Sequence, residues 1–331
     1  MKRSVRILAL TDHKSHHSQN SIYPLLRAMA EHPRTKEVAV ASRAVERNRS
    51  FFYEMMPGPV EVQVVDNQFT FSQRESFFGK TGQLRYLSDY DLILFRLPRP
   101  VVEGFFSFVC QQYPKPEGVM INHPAGIEQT SNKAFLLEVA DLCPPIQLLK
   151  SLDDIESFRR LFPVVLKPLE EYGGKGLVRI EQDVVWEGNR QLSFEEFSMS
   201  YKKDPHPMLG MQYLRNVYQG DKRIIVIDGV VLGASLRLPP SDSWLCNISQ
   251  GGQARAALPD SEEMAIIRKL IPLLKEKGVT FFGVDTLVND EGKRVLSEIN
   301  TLSVGGLEPA EKMHRRPLVR LAAELIINSV K

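Results

Sequence analysis

Cysteine is scarce in this chain, and what there is does not pair up. Cys110, Cys143 and Cys246 are odd in number, scattered, and without metal-ligand spacing. That argues against a disulfide framework and fits a reducing cytoplasm. No histidine lies near Cys246 in sequence, so it reads as a buried or idle thiol and not as a nucleophile. Net charge is nearly absent as well: 42 Lys and Arg against 40 Asp and Glu leave +2. Such a balance supplies no global field for nucleic acid or for an anionic membrane, although a local basic patch for phosphates is compatible with it. No apolar run is long enough to span a bilayer. The basic start MKRSVRILALTDHK has too short an apolar stretch for a signal peptide and reads as a first strand. There is no internal repeat, no low-complexity segment and no GxxxxGK[ST] phosphate loop.

What is present is ordinary globular composition, 43% hydrophobic and 25% charged over 331 residues, enough for two or three compact units. Val5 to Leu10 reads as a strand, and Ser21 to Glu31 as a helix through Ile22, Leu25, Leu26 and Met29, stopped by Pro33. Val38–Ala41, Val60–Val65, Asp91–Leu97 and Val119–Asn122 read as strands and Phe105–Gln112 as a helix; residues 67–88 carry no clear pattern. Alternating strands and helices imply a parallel sheet, with ligands expected off the carboxyl ends of its strands. That points to Ser18–Ser21, Arg96 and Asn122–Pro124. His13, His16 and His17 lack a partnering carboxylate set and read as a solvated loop, not a zinc site.

Chemistry-bearing residues concentrate further on. VVLKP carries Lys167 near a strand end, EEYGGKG follows, and LVRI returns as a strand. Gly173, Gly174 and Gly176 permit a tight backbone with N–H groups aimed at an anion, and Lys167 and Lys175 add positive charge, a phosphate-cradling arrangement. A glycine-rich hairpin turn is the plainer alternative. RIIVIDGVVLGASLRL is a hairpin about Asp-Gly, with Arg223 and Arg237 at its far ends. Two guanidiniums side by side need an anion between them, unless they are merely surface arginines on a sheet rim. In FFGVDTLVNDEGKRVLSEIN two strands meet at a turn. Alternation gives Glu298 and Asn300 one face, places Val295 and Ser297 together and sets Leu296 opposite them. Asp285 then lies beside Glu298 and Asn300, an all-oxygen set suited to Mg²⁺. A solvent-facing hairpin with ordinary charges is the alternative, and the flanking apolar residues weigh against it.

The order of these pieces resembles the ATP-grasp superfamily, and within it the bacterial glutathione synthetases. The phrases that carry the likeness are INHPAGIEQTSNKAF, VVLKPLEEYGGKG, MQYLRNVYQGDKRIIVIDGVVLGASLRLP, LLKEKGVTFFGVD and LSEIN. The resemblance runs from about Asp91 to the end, with looser similarity before. The resemblance implies an α/β protein, α+β in its catalytic part. A Rossmann-like N-terminal domain (1–122, on the substrate side) would be followed by a two-lobed ATP-grasp fold, with a first lobe and lid at 123–211 and a metal-binding lobe at 212–331. It implies phosphorylation of a carboxylate by ATP and displacement of the acyl phosphate by an amine. By position, Lys133 and Lys167 would hold phosphates under a lid of Gly173, Gly174 and Gly176. Gln212, Tyr213 and Leu214 would meet adenine, and Asp221 the ribose. Asp285, Glu298 and Asn300 would bind Mg²⁺, with Mn²⁺ as a substitute. Arg223 and Arg237 would stabilise the transferring phosphoryl group. Ser21, Arg96, Asn247, Gly305 and Gly306 are the substrate-side candidates. Two segments depart from the family: WLCNISQGG has Leu245 where an arginine is usual, and TLSVGG replaces VTSPT after the metal asparagine. The expected partners are therefore small-molecule or peptide carboxylates and amines in the cytoplasm, without nucleic acid or membrane, and with homo-oligomerisation open. The alternatives are the same chemistry on a protein tail or another small peptide, and a non-catalytic ATP-binding sensor or scaffold.

Overall fold

Runs of aliphatic residues at the start of the chain build the first sheet of this computed structural model, which describes residues 3–73, 76–188, 190–241, 243–246 and 251–331. Its strands are β1 (Val5–Thr11), β2 (Thr35–Ser42), β3 (Val60–Val64), β4 (Gln83–Arg85), β5 (Leu92–Arg96) and β6 (Val119–Ile121), in the order β4-β3-β2-β1-β5-β6. The four strands β2, β1, β5 and β6 run parallel, while β3 and β4 add antiparallel pairings at one edge. Helix α1 (Ile22–Ala30) covers one face through Ile22, Leu25, Leu26 and Met29. After the short helix α2 (Arg49–Phe52), α3 (Phe105–Gln112) covers the other face with Phe105, Phe106 and Val109. With both faces buried, these strands read as unbroken apolar runs. Within the patternless stretch 67–88, Phe69, Phe77 and Phe78 are buried together beside Tyr23.

Two antiparallel sheets follow. The first comprises β7 (Ile146–Leu149), β8 (Val164–Pro168), β9 (Val178–Glu181), β10 (Val184–Glu187), β11 (Arg190–Ser193) and β12 (Met208–Gln212), ordered β11-β10-β9-β8-β12-β7. The short helix α4 (Pro124–Thr130) precedes it. Helices α5 (Leu152–Arg159) and α6 (Phe194–Lys203) cover one face with Ile155, Phe158, Phe197 and Tyr201. The second has β13 (Asp221–Ile227), β14 (Val230–Leu238), β15 (Gln253–Ala257), β16 (Phe281–Val288) and β17 (Arg294–Asn300), ordered β15-β14-β13-β16-β17. One face lies on α7 (Ser261–Glu276) through Ile266, Ile267, Leu270 and Leu274, a core that also takes in Leu209 and Met211 of β12. The other face meets α8 (Leu307–His314) and α9 (Leu318–Asn328), which join it to the first sheet through Leu318, Ala322 and Ile326.

The α/β class expected from the sequence is the one observed. Several local readings change. The expected helix from Ser131 is instead a 3-10 stretch over Lys133–Leu142, capped by the Asn132 side chain and broken at Val139. Strands β10, β11 and β15 and helices α6 and α8 lie beyond what the sequence pattern indicates. His13 and His16 do not sit in a solvated loop: His13 is buried and stacked on Phe78 at 4.3 Å, with Nδ1 2.7 Å from the Ser42 hydroxyl. His16 lies between the hydroxyls of Thr11 and Tyr23, at 2.9 Å from each. Among the described residues no cluster of His, Cys, Asp or Glu large enough to hold a metal by itself occurs.

Candidate active site

The β13–β14 hairpin turns tightly at Asp228-Gly229, where Gly229 takes a positive φ of 78°. Its two strands bring Asp221 opposite Arg237, and β16 brings Asp285 opposite Arg223. The anion that the two arginines require is thereby supplied by the chain itself. Arg223 donates to both Asp285 oxygens, from Nε at 2.7 Å and Nη2 at 2.5 Å. Arg237 donates through Nε to Asp221 at 2.6 Å and through Nη2 to both Asp221 and, at 2.9 Å, Asp285. Burial alone would push the Asp285 carboxyl up, but the two guanidiniums outweigh it and hold the group well below the usual carboxylate range. For Asp221 burial prevails over Arg237, and its carboxyl sits above its ordinary value. Arg237 stays charged, because Asp285 and Asp221 overcome the opposing effect of its own burial.

Strand β17 completes this floor through a bulge. Asp285 faces Glu298 and Thr286 faces Leu296, so Ser297 is the extra residue on its strand. Strict alternation would put Leu296 on the same face as Glu298 and Asn300. The bulge instead sends Leu296 into the core beneath the sheet, while Ser297 and Glu298 both line the cavity. Asn300 follows, buried, with its side-chain nitrogen 3.4 Å from Asp285 Oδ2. Lys167 reaches in from β8 and donates to the Ser297 carbonyl at 3.0 Å and its hydroxyl at 3.2 Å. Burial lowers the Lys167 pKa, partly countered by Glu298. Lys133 stands 3.8 Å from Glu298.

Most of these groups line one cavity between the two antiparallel sheets, with Arg223, Arg237 and Asn300 outside its lining. Lys133, Lys167, Gly173 and Gly174 line it from one side; Asp221, Asp285 and Glu298 line it from the other. Gln212, Tyr213 and Leu214 form an edge where β12 ends. Gly176 borders the groove behind the glycine loop, with Pro168 against it. Arg223 and Arg237 reach the cavity through Asp285. Ser21, Arg96, Gly305 and Gly306 gather elsewhere, around the loop after β17. Arg96 donates to the Val304 carbonyl at 2.6 Å, and the Ser21 hydroxyl accepts from the Glu308 amide at 3.1 Å. A Cβ on Gly306 would sit 3.7 Å from Arg223 Cδ, so this second group adjoins the first. Asn247 lies outside the described residues. Sequence reasoning did not find Trp244, Leu245 and Cys246 as cavity wall; they sit in a loop without periodicity, and burial pushes the Cys246 thiol up to about 12.

The donor set suits a hard cation. Asp285 and Glu298 supply two carboxylates and Asn300 an amide oxygen, all oxygen ligands, and a Mg²⁺ site of one or two carboxylates leaves positions for phosphate oxygens. Two lysines and a glycine-rich loop facing two carboxylates across this cavity match the charge pattern of a nucleoside triphosphate with its metal.

A sequence profile of the prokaryotic glutathione synthetase ATP-grasp domain matches residues 132–315. The glutathione synthetase of Rhodopseudomonas palustris is 30% identical over 230 residues, covering 69% of this chain and 70% of its own. Among solved structures, D-cycloserine synthetase DcsG superposes with a TM-score of 0.67 at 14% identity, over 98% of this chain and 100% of that one. The ATP-grasp ligase PsnB, complexed with a phosphomimetic variant of a minimal precursor, Mg and ADP, superposes with a TM-score of 0.55 at 14% identity, over 100% of each chain. The two structural matches show a shared fold.

Proposed function

We propose the roles below from the premise that this chain belongs to the prokaryotic glutathione synthetase family of ATP-grasp enzymes. It is an ATP-dependent, ADP-forming ligase that joins a carboxylate to an amine. A substrate carboxylate oxygen attacks the γ-phosphorus as the bond to ADP breaks. The amine nitrogen then attacks the acyl carbon, loses a proton, and expels phosphate with the bonding pair. Neither step needs a covalent protein nucleophile; positioning and charge neutralisation carry the rate.

Lys133 and Lys167 hold the phosphates in this reading, with Gly173, Gly174 and Gly176 as a lid that excludes water from the acyl phosphate. Gln212, Tyr213 and Leu214 meet the adenine, and Asp221 meets the ribose with the acceptor sites that Arg237 leaves free. Mg²⁺, held by Asp285, Glu298 and Asn300, supplies neutralisation of phosphate charge. Arg223 and Arg237 stabilise charge on the transferring phosphoryl group. We assign these roles within a first unit at 1–122, a first lobe at 123–211 and a second lobe at 212–331; the three separate sheets support the division.

The acceptor carboxylate has its own anchor in Arg96. This guanidinium is 5% exposed, has no carboxylate partner among the described residues, and leaves Nε without a hydrogen bond. An unpaired buried cation is costly, and an anionic substrate group at the Ser21, Gly305 and Gly306 loop removes that cost. Leu245 is buried where the family usually has an arginine, which argues for a substrate set other than that of the named relatives. The acceptor is a small molecule or short peptide, and the enzyme works in a reducing cytoplasm without nucleic-acid or membrane partners.

One observation carries this reading: Asp285 clasped by Arg223 and Arg237, opposite Glu298, on the floor of a lysine- and glycine-lined cavity. The test is a screen of amino acids and dipeptides for ADP release that requires ATP, Mg²⁺, a carboxylate and an amine together. Release dependent on one such pair supports the reading. Tight ATP binding with no release from any pair favours the sensor alternative instead.

A further inference from the structure

The loop between β8 and β9 is anchored at its start by Leu169 on the α7-side core, but its middle, Gly173 to Gly176, carries no apolar side chain. Gly173, Gly174 and Gly176 all adopt positive φ, at 68°, 78° and 66°. That glycine-rich middle depends on the polar contacts of the residues around it. Several of those contacts lead to one residue of the N-terminal α/β unit, Arg99. Its Nη1 lies 2.9 Å from a Glu170 carboxylate oxygen, and its Nη2 donates to the Ser131 hydroxyl at 2.7 Å. The Tyr172 hydroxyl donates to the Ser131 carbonyl at 3.0 Å. Burial raises the Tyr172 pKa, with Arg99 acting in the opposite sense, so the hydroxyl stays a neutral donor.

The chain of contact continues into the nucleotide cavity. The Lys133 backbone amide donates to the Leu169 carbonyl at 2.9 Å, and its ammonium donates to the Glu171 carbonyl. The same ammonium lies 5.4 Å from the centre of the Tyr172 ring and 3.8 Å from Glu298. Arg99, the loop, Lys133 and the metal-side carboxylate are therefore consecutive neighbours.

We propose that Arg99 is a positioning residue that clasps the glycine-rich loop over the phosphate cradle, so that the N-terminal unit governs closure of the site. The assignment of this loop as a lid rests on the ligase reading above; the clasp itself rests on the contacts. The strengths suit a reversible device. Arg99 is largely enclosed, whereas the Glu170 side chain is 61% exposed, and an ion pair with one exposed partner is weak. A lid that must open at every turnover needs such a fastening, since a deeply buried pair would hold it shut. It follows that removing Arg99 loosens the loop without emptying the nucleotide site, and leaves an acyl phosphate open to water.

The test measures amide hydrogen exchange of residues 169–177 in the full chain, with Mg²⁺ and a non-hydrolysable ATP analogue at saturating concentration. Arg99→Ala is expected to speed exchange in this segment a few-fold, the scale of an ion pair with one exposed partner, with β8 and β9 unchanged and the analogue still bound. Arg99→Lys should recover part of the protection. Should Arg99→Ala fail to fold, Glu170→Ala combined with Tyr172→Phe removes the clasp from the loop side and should give the same local acceleration. Unchanged exchange in the loop overturns the proposal, as does acceleration spread evenly through the N-terminal sheet. Failure of the ligase reading shows up separately, as wild-type protein that releases no ADP with any carboxylate and amine while the loop result stands.

Discussion

Asp285 is buried with a guanidinium on each side, and the energetics of the site follow from that placement. Its pairing with arginine was only half legible in the sequence. The two arginines called for an anion, but nothing in the spacing said that the anion would be a residue of the chain and not a ligand. The arrangement also decides which substitution informs. Arg237→Ala strips one charge from a buried cluster that holds two carboxylates, at a stability cost of about 3–5 kcal/mol. Arg237→Lys keeps the charge and loses the forked donor. We expect Arg237→Lys to stay folded, at a lower denaturant midpoint than wild type but a higher one than Arg237→Ala, while kcat falls about a hundredfold, the usual loss for a transition-state donor, and KM for ATP changes little. A variant with normal kcat would remove Arg237 from the chemistry. Glu298→Gln keeps size and hydrogen bonding but takes away a metal-seeking charge. It should fold normally and lose Mg²⁺-dependent ADP release, and near-normal turnover would contradict the metal assignment.

At the level of elements, the hairpins declared themselves and the irregular pieces did not. The Asp-Gly turn and alternating strands of β13–β14 are local signals, and so is the paired β16–β17. The bulge at Ser297 is not one: alternation predicts Leu296 beside Glu298, and only the packing of Leu296 against the α7 face makes the extra residue necessary. Helix α6 carries a local signal that periodicity alone does not show: Ser193 and Glu196 form a capping box at its start, readable as Ser-Phe-Glu-Glu. The Lys133–Leu142 stretch has helical periodicity but breaks at Val139, where tertiary contact overrides propensity. The glycine loop belongs to this scale too. With its polar fastenings and positive-φ glycines, it should be cut by a protease near Tyr172–Gly176 in the free protein and protected several-fold when ATP and Mg²⁺ are added. Equal cleavage in both conditions would make it a plain hairpin turn.

Across the whole molecule, the N-terminal sheet, its aromatic cover and the C-terminal helices form one core, so the N-terminal unit cannot move far without disturbing the sheet that carries Asp285. The unit carries a pH signature of its own. Burial lowers the His16 pKa to about 4, with the charges of Arg96 and His13 acting in the same direction. The folded chain keeps His16 neutral down to about that pH, whereas the unfolded chain takes up the proton near 6.5. Stability from this residue is therefore present above pH 6.5 and lost as pH falls towards 4, a change on the order of 3 kcal/mol. Urea unfolding of wild type and His16→Gln between pH 7 and pH 4.5 should show the wild type losing more; parallel profiles would refute the burial argument. None of this long-range packing was readable from alternation or capping, because it joins residues hundreds of positions apart. The order of chemical groups along the chain was readable, and it carried the family. The central claim, amide formation through an acyl phosphate, is tested most directly by oxygen transfer. With the carboxylate substrate from the ADP-release screen labelled with ¹⁸O, the account predicts one labelled oxygen in the released inorganic phosphate for each amide formed. Unlabelled phosphate, or label appearing in AMP, would contradict it.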